Sequence, residues 1–327
     1  METQKRQIIV PLDGSALAEA VLPHAVALAR ATESGLTLLR VVTPTETMIM
    51  LPNPTMIPPV TAQRLFEEEH TQSQIYLNTV AKRLHSSNLE IRTAVLVGIA
   101  TADAIVTFVR HMPDTALIAM ATHGHTGLRH LIMGSVAEHV LHTTPVPLLL
   151  VRSDEQEVLP YSVPTYHSII VPLDGSAFAE QALPQARSIA IAMDTDLILV
   201  GVGPTIDDVA LADGGIEPAW MLTECQAEDD RVAAYLNDRA AQIRREGVRV
   251  RATFVRGEPA DQILRVSDDE RAGLIVMTTH GRSGLSRLWL GSVARSVVQD
   301  AMVPVLLVRA QEPVLERAHD HALEHGA

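Results

Sequence analysis

The sequence predicts an α/β protein made of two tandem, doubly wound domains, each on a five-stranded parallel sheet. Three observations predict it: a long internal repeat, strand-sized apolar runs alternating with amphipathic helical stretches, and a glycine-bearing loop after the fourth strand of each repeat. The repeat is read directly. Ile8-Ile-Val-Pro-Leu-Asp-Gly-Ser15 recurs as Ile169-Ile-Val-Pro-Leu-Asp-Gly-Ser176, an offset of 161 residues. Later in each half, Gly134-Ser-Val-Ala137 recurs as Gly291-Ser-Val-Ala294, an offset of 157. Two matches in the same order, some 160 residues apart, mean duplicated domains and not a solenoid. The expected division is 1–152 for the first domain, 153–167 for an acidic, proline-bearing linker, 168–310 for the second domain and 311–327 for a polar tail.

Each element has its own signal. Gln7 to Leu12 is a continuous apolar run ending in Asp-Gly-Ser, which reads as a buried strand followed by a turn. Leu17, Val21, Ala25 and Leu28 then share one helical face, with Ser15 as N-cap. Pro23, matched by Pro184, requires that helix to kink or to start late. Leu36 to Val42 is a second strand. Long loops follow, rich in Pro and Met at 43–60 and in Gly and Asp at 204–217. Next come long polar-faced helices near 62–85 and 224–246, then strands at 92–97 and 249–255. Helices at 101–110 and 259–267 lead to fourth strands at 116–120 and 273–277. The last helices start at Ser135 and Ser292, and the last strands cover 146–151 and 303–308.

Composition excludes several classes. Of the 327 residues, 47% are hydrophobic and 20% charged, which gives a globular chain ample core. The formal net charge of −13 argues against nucleic acid and against anionic membrane surfaces, both of which reward Lys and Arg. The single cysteine, Cys225, excludes an internal disulfide; with an N-terminus lacking an apolar leader segment, this gives a cytoplasmic expectation. No apolar run approaches a membrane span.

Chemistry concentrates in two loops. In parallel sheets of this kind ligands sit beyond the carboxyl ends of the strands, near the point where chain direction switches. There the Asp-Gly-Ser turn faces the loop after strand four. That loop reads Ala121-Thr-His-Gly124, nine residues, then Gly134-Ser135; its repeat reads Thr278-Thr-His-Gly281, nine residues, then Gly291-Ser292. Glycine lets backbone N–H groups approach an anion, and a helix start supplies unpaired donors and partial positive charge. The arrangement suits a di- or triphosphate without needing lysine. A purely structural alternative stands beside it. Ser135-Val-Ala-Glu138 has the form of a capping box, and Ser292 that of a simple N-cap.

With these residues in view, the chain resembles the universal stress protein family, whose ATP-binding members carry G-x2-G-x9-G-[S/T]. The resemblance covers both halves. It implies nucleoside contacts at Pro11 and Asp13 and at Pro172 and Asp174, with backbone contacts at Val41 and Val202. It implies phosphate contacts at Gly124, Gly134, Ser135 and Val136, and at Gly281, Gly291, Ser292 and Val293. Both halves depart at the first glycine, where Ala121 and Thr278 stand. The second half keeps Gly281-Arg282-Ser-Gly284, whereas the first has His125 in place of the arginine, so the second site is the safer one. The expected ligand is ATP, ADP or AMP, with Mg accompanying ATP in a hydrolytic role. The family's habit also implies that the last strands pair edge to edge, giving an intramolecular pseudo-dimer and scope for a homodimer.

Other motifs point elsewhere only weakly. His123, His125 and His130 have no nearby Cys, and only His280 repeats the first. Gly201-Val-Gly203 lacks the third glycine of a dinucleotide fingerprint, and no P-loop or Gly-x-Ser-x-Gly sequence occurs. No repeated lysine or second carboxylate joins Asp13 and Asp174 to complete a catalytic set. The leading expectation is a nucleotide-binding stress regulator or sensor. The alternatives are a slow ATPase and a dimerisation scaffold that binds no nucleotide.

Overall fold

The computed structural model describes residues 5–43, 59–84, 89–122, 133–152, 164–205, 219–279 and 290–310. The first half runs β1 (Gln7–Pro11), α1 (Ala16–Glu19), α2 (Leu22–Ala31), β2 (Gly35–Val42), α3 (Pro59–Leu84), β3 (Ile91–Val97), α4 (Thr101–His111), β4 (Thr115–Ala121), α5 (Ser135–Thr143) and β5 (Leu148–Val151). The second repeats it: β6 (Ser168–Pro172), a 3-10 turn (Ala179–Ala182), α6 (Leu183–Met193), β7 (Asp196–Gly203), α7 (Ala219–Arg244), β8 (Val250–Arg256), α8 (Pro259–Asp269), β9 (Leu274–Thr278), α9 (Ser292–Asp300) and β10 (Val305–Val308).

The two five-stranded sheets are halves of one. The strand order is β3-β2-β1-β4-β5-β10-β9-β6-β7-β8. Every pairing within a half is parallel, and the halves join through the antiparallel pair β5–β10, with Leu149 opposite Leu306. That join gives each half an inner edge strand with a partner, so neither is left exposed. The period-2 alternation along the strands feeds two apolar layers. Ile8, Val10, Leu36, Leu38 and Leu149 pack under α2 and α3; Ile9, Leu39, Ile118, Leu148 and Leu150 pack under α4 and α5. Both layers continue across β5–β10 into the second half.

Several expectations shift at their ends; the long helices, for example, run Pro59–Leu84 and Ala219–Arg244 instead of 62–85 and 224–246. The last strands begin at Leu148 and Val305, not at 146 and 303. Pro147 and Pro304 have no N–H to give, though their carbonyls still accept from Ile118 and Ile275. The proline in the first helix resolves as a late start. Ser15 caps the short α1, and α2 opens with Pro23 in its first turn. Among the described residues no helix is long and apolar enough to cross a membrane.

Candidate functional site

Beyond the carboxyl end of β1 the chain turns sharply at Asp13-Gly14-Ser15. Gly14 adopts φ +89° and its counterpart Gly175 φ +81°, a region that L side chains rarely enter. The Asp13 Oδ1 accepts from the Ser15 backbone N–H at 2.9 Å and from the Ser15 hydroxyl at 2.6 Å. The Ser15 Oγ then accepts from the Ala18 N–H at 3.0 Å. In the second half the Asp174 Oδ1 accepts from the Ser176 N–H at 2.9 Å, and the Ser176 Oγ from the Ala179 N–H at 3.1 Å. One carboxylate oxygen in each half is thus committed to shaping the turn.

The neighbouring strand supplies backbone groups beside this turn. The Leu39 carbonyl accepts from the Leu12 N–H, so Leu39 faces β1; the Val42 carbonyl accepts from Gly98, so Val42 faces the other way. Val41, two residues past Leu39, therefore turns its N–H and C=O toward β1, where β1 has already ended at Pro11. The same register holds at Val202, between Val200, which accepts from Leu173, and Gly203, which accepts from Gly257. Pro11 and Pro172, the last residues of β1 and β6, close the strand ends below.

The other wall is built by β4 and α5. Thr122 donates its N–H to the Val151 carbonyl, and its own carbonyl accepts from the Gly134 N–H at 2.8 Å. That bond brings the start of α5 back over the end of β4. Gly134 is the N-cap of α5, with φ −63° and ψ 147°, and no side chain caps the helix. Ser135 is the first helical residue and is exposed. The capping-box reading of Ser135 is thus corrected, as is the N-cap reading of Ser292. Gly291 is the N-cap of α9, it too lacks a side-chain cap, and its N–H bonds the Thr279 carbonyl. The serine hydroxyls are therefore not spent on their helices. A Cβ on Gly134 would stand 3.3 Å from the Thr122 carbonyl, on the side where helix and strand meet.

The sequence-named residues thus divide. Pro11, Asp13, Val41, Ala121, Gly134, Ser135 and Val136 stand at the carboxyl ends of β1, β2 and β4, on the edge where the connections part toward β2 and toward β5. Pro172, Asp174, Val202, Thr278, Gly291, Ser292 and Val293 repeat them, with Thr278 buried. Gly124 and Gly281 lie outside the described residues, as do His123, His125, His130, His280 and Arg282. Among the described residues no group of three or more His, Cys, Asp or Glu gathers to hold a metal ion.

One neighbour of the site escaped the sequence reading. The Arg40 guanidinium lies over Gly14, with Nη1 2.6 Å from where a Cβ would be, and 5.5 Å from the centroid of the Tyr76 ring. Its counterpart is Gly201, whose space is taken by Leu236 and Val232. An arginine inside the apolar run of β2 was the available signal. Beyond it, Tyr76 donates to Glu19 at 2.9 Å, and Tyr235 to Glu180 at 2.8 Å. Burial, and then the adjacent carboxylate, raises both phenols well above their ordinary range.

The sequence model of the universal stress protein family matches residues 5–152 and again 165–309. The chain belongs to the universal stress protein family. It is similar to a universal stress protein of Methanocaldococcus jannaschii, 33% identical over 145 residues that cover 44% of this chain and 82% of that one. It is also similar to one of Mycobacterium tuberculosis H37Rv, 29% identical over 214 residues covering 64% of this chain and 67% of the relative. Among solved structures, a universal stress protein from Archaeoglobus fulgidus superposes with a TM-score of 0.61 at 19% identity, over 94% of this chain and 98% of the other. That likeness is one of fold, and it extends over both halves of this tandem universal stress protein.

Proposed function

We propose that each half binds one adenine nucleotide across the carboxyl ends of its strands, and that the protein works as a stress-response regulator or sensor by carrying it. The observation that supports this reading is the duplicated helix start. In both halves a glycine N-cap, with no side-chain cap, heads a helix beside the switch point of a parallel sheet. Such a start offers backbone donors and partial positive charge to a phosphate.

The residues fit that ligand. Gly134 and Gly291 would let the phosphates approach the backbone, and Ser135 and Ser292 would add hydroxyl donors. The N–H groups of Val136 and Val293 follow in the same first turn. Val41 and Val202 would offer an N–H and a C=O to the edge of the base, while Asp13 and Asp174 flank the nucleoside. Gly124 and Gly281 complete the set that the family motif names. The nucleotide itself would supply a charge signal that differs between its di- and triphosphate forms.

The test is direct. The protein is purified without added nucleotide, its bound small molecules are identified by mass spectrometry, and ATP, ADP and AMP are titrated calorimetrically. Nucleotide carried through purification, or calorimetric binding, supports the reading. The absence of both overturns it.

A further inference from the structure

The repeat exposes a difference between the halves at the opposite end of the sheet from the nucleotide loops. Tyr166, two residues before β6, is buried between the halves. Three residues hold it. Its hydroxyl lies 3.0 Å from the His24 Nδ1 on α2, its carbonyl accepts from the Thr195 hydroxyl at 2.8 Å, and its ring lies against Gly273. A Cβ on Gly273 would come within 2.6 Å of Tyr166.

The 161- and 157-residue offsets carry this arrangement onto the other half. Tyr166 maps to Lys5, which is exposed. His24 maps to Gln185, Thr195 to Ser34, and Gly273 to Ala116. Gln185, Ser34 and Ala116 all line one cleft of about 330 Å³ between α2 and α6. The cleft is therefore the counterpart of the Tyr166 site without its tyrosine. Its floor is apolar, formed by Ile8, Leu28 and Ile189, and its volume falls within the range of small-molecule sites. The Ala116 Cβ stands where Tyr166 needs bare glycine, so residue 5 cannot follow the same course into the cleft.

We infer that this cleft is a second kind of ligand site, present once per chain, for a small planar aromatic molecule bearing a hydroxyl group. The ring would take the place of the Tyr166 ring over Ile8 and Leu28. The hydroxyl would face the Gln185 amide, as the Tyr166 hydroxyl faces His24. The amide both donates and accepts, so it suits a phenol. Arg6 and Glu33 stand at the rim.

The probe is p-cresol, which is the tyrosine side chain as a free molecule, titrated into the full-length, isotope-labelled protein and followed by NMR. A dissociation constant on the order of 1 mM is expected for so small a fragment. Shifts should centre on Ser34, Ala116 and Gln185, and toluene should bind at least about threefold more weakly because it leaves the amide unpaired. Two variants close the cleft by different routes: Ser188→Trp, from an exposed position on its wall, and Lys5→Tyr combined with Ala116→Gly, which rebuilds the filled arrangement. Each should weaken p-cresol by at least about tenfold. No shifts up to the solubility limit, shifts centred elsewhere, or binding unchanged in both variants would overturn the inference. The nucleotide titration is a separate readout, so failure of one reading leaves the other standing.

Discussion

The His24 imidazole and the Tyr166 hydroxyl meet at 3.0 Å across the junction of the two halves. Burial lowers the His24 pKa from 6.5 to about 4 and raises that of the Tyr166 phenol. The imidazole is therefore neutral at physiological pH, and its tautomer decides whether Nδ1 accepts from the phenol or donates to it. The folded state binds its proton less readily than the unfolded state. The contribution is fully present above about pH 6.5 and is lost as pH falls toward 4; below that both states are protonated. The loss is expected to be at most about 3 kcal/mol. His24→Gln, which installs the residue found at the matching position of the second half, should flatten this acid limb in urea melts recorded from pH 7 to pH 4.

The serines of the two loops are expected to separate in stability. Ser15 and Ser176 cap their turns, so Ser15→Ala or Ser176→Ala should cost about 1 kcal/mol by chemical denaturation. Ser135 and Ser292 follow a glycine N-cap and spend nothing on it. Ser135→Ala and Ser292→Ala should therefore stay within about 0.5 kcal/mol of the parent while weakening nucleotide. A loss of stability like that at Ser15 would restore the capping-box reading.

Leu149 and Leu306 face each other at the centre of the antiparallel join, both fully buried. Either leucine replaced by alanine should cost about 2–5 kcal/mol. A double-mutant cycle should show a coupling of at least about 0.5 kcal/mol, since the pair shares one contact. Additive losses would mean that the two halves do not support each other at this pair.

The fold was legible because its signals are local. Continuous apolar runs such as Ile8–Val10 mark strands buried on both faces, and Pro23 required the first helix either to kink or to start late. The merging of two sheets into one was not readable from composition or spacing; it came only through the family resemblance, because edge pairing is decided by two distant strands. The site was half legible. The Gly-Ser pairs announced helix starts, yet whether glycine or serine takes the cap position depends on where the Thr122 carbonyl draws the Gly134 N–H. Arg40 was missed because its role rests on a turn at Gly14 that lies 26 residues earlier in the sequence.

The side chain of Arg40 over Gly14 places a cation at the first site that the second, with Gly201, lacks. A nucleotide phosphate or ribose edge near that charge would make affinity at the first site fall more steeply with salt in the parent than in Arg40→Met. Calorimetry at 50 mM and 500 mM salt with one half blocked at a time measures it. The salt dependence at the second site should be unchanged by Arg40→Met.

Calorimetric titration of ATP into the parent, Gly134→Val, Gly291→Val and the double variant tests the central claim most directly. A valine at either N-cap sets a side chain where the phosphates must approach the backbone. The account expects two nucleotides per chain in the parent, one in each single variant with affinity at the altered half reduced by at least about tenfold, and none in the double variant. Binding that persists undiminished in the double variant, with the fold intact by circular dichroism, would contradict it.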